Sequence, residues 1–253
     1  MLAHLISFYS APSPTICCWN KDEVIEKKLE NEVWIKFSQK SLCTGFMGKE
    51  KRNKCPHRSQ GWHQCNSCKT KDISNIYTRL DFSEYPELEK EYLEDGFSIY
   101  LAQFGNRILK CGVTHTERVA TRTMEQGADF WVELLRFSNG RDAYAAEGML
   151  QQKFMLHNAV KNATKLKLLY EPAEPVLIED TLARVKEYKE LENVCSELSV
   201  KKNEYYSPKD FIISDAVNGQ IMGSKSKLLF YKKDNQDFVV DMSKMGGRMI
   251  LVK

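Results

Sequence analysis

Cys43, Cys55, Cys65 and Cys68 bring four soft metal ligands into one short part of the chain. The stretch KCPHRSQGWHQCNSCK, Lys54 to Lys69, packs three cysteines and two histidines into sixteen positions. Cys65 and Cys68 form Cys-x-x-Cys, a turn short enough for both thiolates to reach one ion. Zinc favours four such ligands in a tetrahedron, usually as two pairs from two loops. Cys43 and Cys55, with eleven residues between them, make an irregular second pair, and His57 and His63 are reserve ligands. Two other readings stand beside zinc. The thiols could be free on a loop, or the pair could be a redox motif, which normally opens a helix after a strand in a βαβ unit; no such unit is legible here. The eight cysteines could also pair as disulfides. A chain of 253 residues does not need those staples, and the N-terminal MLAHLISFYSAPSPTICCW has no basic start, with His4 and Ser7 interrupting its apolar run. It reads as part of the fold, not as a secretion signal, so reduced thiols in a cytoplasm are expected.

The same region is basic. Lys49, Lys51, Arg52, Lys54, Arg58, Lys69 and Lys71 face one acid, Glu50, between Cys43 and Lys71. Such a patch attracts phosphate backbones without reading sequence. Trp62 among them is placed to stack on a base, or to cap a small metal-centred core. Solvated loop charges are the plainer alternative. The net charge of +3 decides little by itself, and a hydrophobic fraction of 42% with 28% charged residues is that of a globular protein. Apolar runs fall far short of the ~20 residues that span a bilayer, so no membrane partner is expected.

Around this region the elements read in order. EVWIKFS alternates as a strand entering the cysteines, and SEYPELEKEYLED is an acidic helix stopping at Gly96. FSIYLAQF (97–104) and ILKCGV (108–113) are strands joined at Gly105-Asn106. Thr114 to Glu117 matches a capping box for a helix that stops at Gly127. FWVELLRF (130–137) is a third strand, and a helix follows over about 142–160. IEDTLARVKEYKELENVCSEL (178–198) reads as a charged helix carrying Cys195, and the tail as short strands forming a small barrel or returning to the N-terminal strands. The expected segments are 1–42, an N-terminal β segment; 43–72, the zinc module; 73–96, an acidic helical connector; 97–160, the domain built from the three strands and their helices; 161–205, a helical connector; and 206–253, a C-terminal β segment.

On the helix over 142–160, Glu147 shares a face with Ala143, Leu150 and Phe154. A carboxylate there needs a partner, a metal or a pocket; a structural salt bridge is the bland form of that need. Arg118 and Arg122, one turn apart, could clamp a phosphate or be ordinary exposed charges.

Strand, turn, strand, helix, strand, helix, with SIY at 98–100 and KCG at 110–112, resembles the GIY-YIG nuclease domain over Phe97 to Val160. The resemblance implies a three-stranded antiparallel sheet with flanking helices, and Tyr100, Gly112, Arg122 (or Arg118) and Glu147 at the family's motif positions. Lys110 and Cys111 depart from the second tripeptide, which begins with tyrosine in that family, and Lys110 joins the candidates. Over nearly the whole chain, the order of CTG, the cysteines, YLAQFGN, KCGVT, TRTMEQGAD and GQIMGSKSKLLFY is similar to an uncharacterised prokaryotic zinc-binding family, domain of unknown function 2797. That similarity implies architecture and no activity.

The expected fold is therefore α+β: a GIY-YIG-like sheet, a zinc-ribbon-like module of four cysteines and a terminal small β-domain. The expected function is zinc-containing nucleic-acid binding, to RNA or DNA, with a ribonucleoprotein or another protein as further partner. The alternative is a Mg²⁺- or Mn²⁺-dependent endonuclease. There the resemblance gives Glu147 the ion, Arg122 the phosphate charge, and Tyr100 the attacking water. A structural protein-interaction scaffold is the third reading.

Overall fold

The computed structural model describes residues 1–61, 63–76, 81–83, 85–188, 193–195 and 197–253. The fold is mixed α+β, in two compact units: Met1–Phe82 with Pro208–Lys253, and Ser83–Ser207. The first and second expected segments share a unit with nearly all of 206–253, while 73–96 is divided between the two units.

The chain starts with β1 (Leu2–Tyr9), β2 (Thr15–Asn20), β3 (Glu23–Lys28) and β4 (Glu32–Ser41). A two-strand hairpin, β5 (Phe46–Met47) with β6 (Arg52–Asn53), and the short helix α1 (Asn66–Lys71) follow. The chain then leaves to build the whole second unit. That unit runs α2 (Pro86–Glu94), β7 (Phe97–Phe104), β8 (Ile108–His115), α3 (Val119–Gln126), β9 (Phe130–Phe137), α4 (Gly140–Phe154), α5 (Asn162–Leu168), α6 (Val176–Glu187) and β10 (Lys201–Lys202). On its return it adds β11 (Ile212–Ile213), β12 (Val217–Lys225), β13 (Leu228–Lys233), β14 (Gln236–Asp241) and β15 (Arg248–Val252).

Of the two expected forms of the tail, the returning strands take the second: they pair with the N-terminal strands and make no separate terminal β-domain. They enter a nine-stranded sheet of order β11-β14-β13-β12-β4-β15-β1-β2-β3. β15 lies between β1 and β4, antiparallel to both, and the Met1 ammonium donates to Val252 O at 2.6 Å. The reason is burial: Leu5, Ile16, Ile35, Val217, Leu229, Val240 and Ile250 come from both ends of the chain and exclude water only together. At the sheet edge, β3 is charged and largely exposed, which discourages further strand pairing.

In the second unit, four antiparallel strands run in the order β10-β9-β7-β8. All eight residues of central β7 are buried, so it does not alternate between core and water as an edge strand does. Gly127 stops α3 at φ +75, as its position predicted. The Thr114–Glu117 capping box does not form. β8 continues to His115, Thr114 stays in the ladder opposite Ser98, and Thr116 accepts a hydrogen bond from Ser98 Oγ at 2.9 Å. α4 is shorter than expected, because Met155 turns left-handed at φ +53. The helix expected over 178–198 ends at Glu187, and positions 189–192 and 196 lie outside the described residues. Cys195 is not helical: its N–H donates to Leu134 O at 3.0 Å beside β9. Among the described residues, no helix is long and apolar enough to cross a membrane.

Candidate functional site

The first unit gathers Cys43, Cys55, Cys65 and Cys68 with all four sulfurs within 4.8 Å of one another. Cys65 and Cys55 Sγ are 3.8 Å apart, and the Cys65 N–H donates to Cys43 Sγ at 3.2 Å. Thiolates about 2.3 Å from a zinc ion define a tetrahedron with edges of about 3.8 Å, so the spacing of the group is compatible with that ion. The same separation is nearly twice a disulfide bond, and all eight cysteines are free thiols. Cys65–Cys68 does open a helix, α1, as a redox pair would. What sets it apart is the second pair of sulfurs seated against it.

Local geometry explains the convergence. Cys43 N donates to Ser59 O at 2.8 Å, and Thr44 binds His63 O through both its N–H (2.9 Å) and its hydroxyl (3.0 Å). The Trp19 indole N–H donates to Thr44 O at 3.0 Å, tying the knot to β2. Buried Asp72 braces the far side, accepting from Met47 N (3.1 Å), Gln64 Nε2 (2.6 Å) and Ser74 N (3.1 Å). Burial opposes its ionisation, but those donors outweigh it and hold its carboxyl below the usual range. The sequence carried no local signal for Gln64 and Asp72 in this role.

The thiols differ in how readily they ionise. Burial raises Cys55, but N–H groups of Ser59 and His57 and the neighbouring thiols outweigh it and bring it down to about 6. The Cys68 N–H lowers Cys65, whereas burial pushes Cys43 and Cys68 up. A cation is what would ionise all four together. Neither reserve histidine joins the group. His63 packs its ring on Gly246, where an added Cβ would lie 2.2 Å from the ring, and His57 is exposed.

Of the basic residues, Lys49, Lys51, Lys54, Arg58, Lys69 and Lys71 are exposed and Arg52 is half-buried; Trp62 lies outside the described residues. Lys54 Nζ sits 2.8 Å from Asp22 and 5.3 Å from the Trp19 ring centre. A cavity of about 300 Å³ adjoins Cys43 and Cys55, bordered by His4, Trp19, Lys21, Lys54 and Arg58 among others.

The second unit brings together Tyr100 of β7, Lys110 and Gly112 of β8, Arg122 of α3 and Glu147 of α4. Tyr100 faces Gly112 across the ladder. A Cβ at Gly112 would fall 2.5 Å from Tyr100 Oη and 2.8 Å from Lys110 Nζ, so a larger residue there would displace one or both groups. Lys110 Nζ lies 5.4 Å from the Tyr100 ring centre. Burial pushes Tyr100 up to about 12, with Arg122 and Gln126 acting the other way. Burial also raises Glu147, opposed by Lys110, and lowers Lys110, opposed by Glu147; each ion supports the other's charge. Arg118 and Arg122 do not form an open clamp. Both reach Glu125, at 3.2 and 3.4 Å, with about half of each side chain exposed. Glu125 and Gln126 were not anticipated; Gln126 Oε1 is buried with no hydrogen bond among the described residues.

No curated protein and no solved structure matches the chain. Residues 30–250 match a family described as protein of unknown function (DUF2797), and the chain belongs to that family.

Proposed function

We propose that this chain is a zinc-containing nucleic-acid-binding protein, for RNA or DNA, built on a divergent GIY-YIG-like domain and working in the cytoplasm, with a ribonucleoprotein as its natural setting. The observation that carries the reading is the set of exposed lysines and arginines on the segment that holds the four-thiol knot, with Lys21, Lys54 and Arg58 bordering a cavity beside Cys43 and Cys55. Rigid placement of cations raises local affinity for a polyanion at low entropic cost. The GIY-YIG-like component is supported by the strand order β9-β7-β8 and by the gathering of Tyr100, Gly112, Arg122 and Glu147. Binding to single- and double-stranded RNA and DNA should fall with salt at a log–log slope of about −0.7 to −0.9 per phosphate neutralised. Neutralising Lys51, Arg52 and Lys54 together should flatten that slope by about two units. Absence of binding to every probe at low salt would reject the reading.

The gathering of Tyr100, Arg122 and Glu147 also favours a second reading, a metal-dependent endonuclease. Glu147 is the carboxylate that would hold Mg²⁺ or Mn²⁺, which would offset charge on the phosphate. Arg122 would bind a phosphate oxygen, while Tyr100, pushed up to about 12, would orient water and keep its proton. On this reading Glu147→Gln abolishes cleavage of the same probes while retaining binding. On the preferred reading the wild type cleaves none of them with either ion present, and robust Glu147-dependent turnover would overturn it.

A further inference from the structure

Lys110 is a lysine with only 9% of its surface exposed, on a strand whose neighbours Leu109 and Cys111 are core residues. A buried ammonium persists only with a counter-ion. Glu147, on the helix packed against β8, is the carboxylate whose charge supports it. Lys110 also shares the space over Gly112 with Tyr100 Oη.

The geometry points to an ammonium in place of a metal: we infer that Lys110 fills the cation position of this cluster, so that the second unit binds a phosphate group of a nucleic-acid backbone without a divalent ion. This deepens the binding reading and rests on it. Three features carry the inference. First, Lys110 already supplies the positive charge that acts on Glu147, so a metal ion would compete with a cation fixed to the neighbouring strand. Second, Lys110, Arg118 and Arg122 outnumber Glu125 and Glu147, so a divalent cation would join a cluster already positive, whereas a phosphate would reduce its charge. Third, Mg²⁺ demands near-octahedral oxygen coordination with several waters. Tyr100 Oη and Lys110 Nζ already crowd the open spot above Gly112. Arg122 supplies the exposed arm, released from Glu125 when a phosphate takes the guanidinium. The Tyr100 hydroxyl keeps its proton and can donate it in a hydrogen bond to the anion.

The test uses the zinc-loaded full chain. Mn²⁺ is titrated and followed by electron paramagnetic resonance, and inorganic phosphate and a short single-stranded oligonucleotide are titrated by calorimetry with and without Mg²⁺. The wild type should show no Mn²⁺ site that Glu147→Gln removes, and its oligonucleotide affinity should not change with Mg²⁺. Lys110→Met should create a Mn²⁺ site, lost again in Lys110→Met/Glu147→Gln. Arg122→Gln, a change at an exposed side chain that leaves the core intact, should weaken both phosphate and oligonucleotide by about five-fold or more. A wild-type Mn²⁺ site abolished by Glu147→Gln overturns the inference, as does phosphate and oligonucleotide affinity indifferent to both Lys110→Met and Arg122→Gln. Failure of every oligonucleotide to bind rejects the parent reading instead, and the Mn²⁺ titration still decides what Lys110 does.

Discussion

Protein purified without added metal should contain about one zinc per chain, and Cys65→Ser should lose most of it together with the structure of residues 43–72. The expected effect is large because little else can order this segment. Its regular elements are a hairpin of two-residue strands and a six-residue helix, far below what stabilises such pieces alone. Structural zinc in small modules contributes about 10–16 kcal/mol of apparent binding free energy, which here would be folding free energy of the module. Cys65 is the least buried of the four thiols, so serine there removes a ligand without opening a core cavity. Thermal melts with and without a chelator provide the check. Zinc-free protein that melts like the wild type would remove metal from the account of this unit.

Gly45→Ala should cost on the order of 3 kcal/mol or more, and should lower zinc content without touching a thiol. Gly45 sits two residues after Cys43 at φ +83, and an added Cβ would lie 1.9 Å from Asn53 O. That atom is backbone, so no rotamer change relieves the overlap; β6 must move, and Cys55 is two residues beyond Asn53. Gly61→Ala is the control. Its φ is +85, but nothing lies within 4 Å of the added Cβ, leaving only left-handed strain of about 1–2 kcal/mol. Zinc content and melting temperature measured on both variants separate clash from strain. Equal losses in the two would show that Asn53 yields and that the knot is not held by that contact.

These two glycines show where a sequence stops being informative. Each is followed directly by an aromatic residue, Phe46 or Trp62, and nothing local separates one facing a carbonyl from one facing open space. Strand and turn positions were legible because alternation and Gly-Asn chemistry act over a few residues: β7, β9 and the Gly127 stop fall where those signals lie. The Thr114 capping box failed for the opposite reason. A local hydrogen-bond pattern lost to a ladder with β7, a neighbour distant in sequence that offered the same groups better partners. The helix carrying Cys195 failed likewise, since Asn193, Val194 and Cys195 bond to β9.

For chemistry the division is similar. Residue type and spacing alone determined that Cys65 and Cys68 could share an ion, that the surrounding charge is positive, and that Glu147 on an apolar helix face needs a partner. Those are properties of side chains and of one turn of backbone, and they hold wherever the segment sits. Only the tertiary structure decided that Cys43 and Cys55 complete the group while His57 and His63 stay out of it, because convergence depends on how β5, β6 and α1 fold back together. Only it decided that the last strand lies between β1 and β4, since the apolar surface of both chain ends is buried by their joining. And only it set Lys110 as the cation that opposes the burial of Glu147, because which charge acts on the helix depends on its packing against β8, which no spacing rule records.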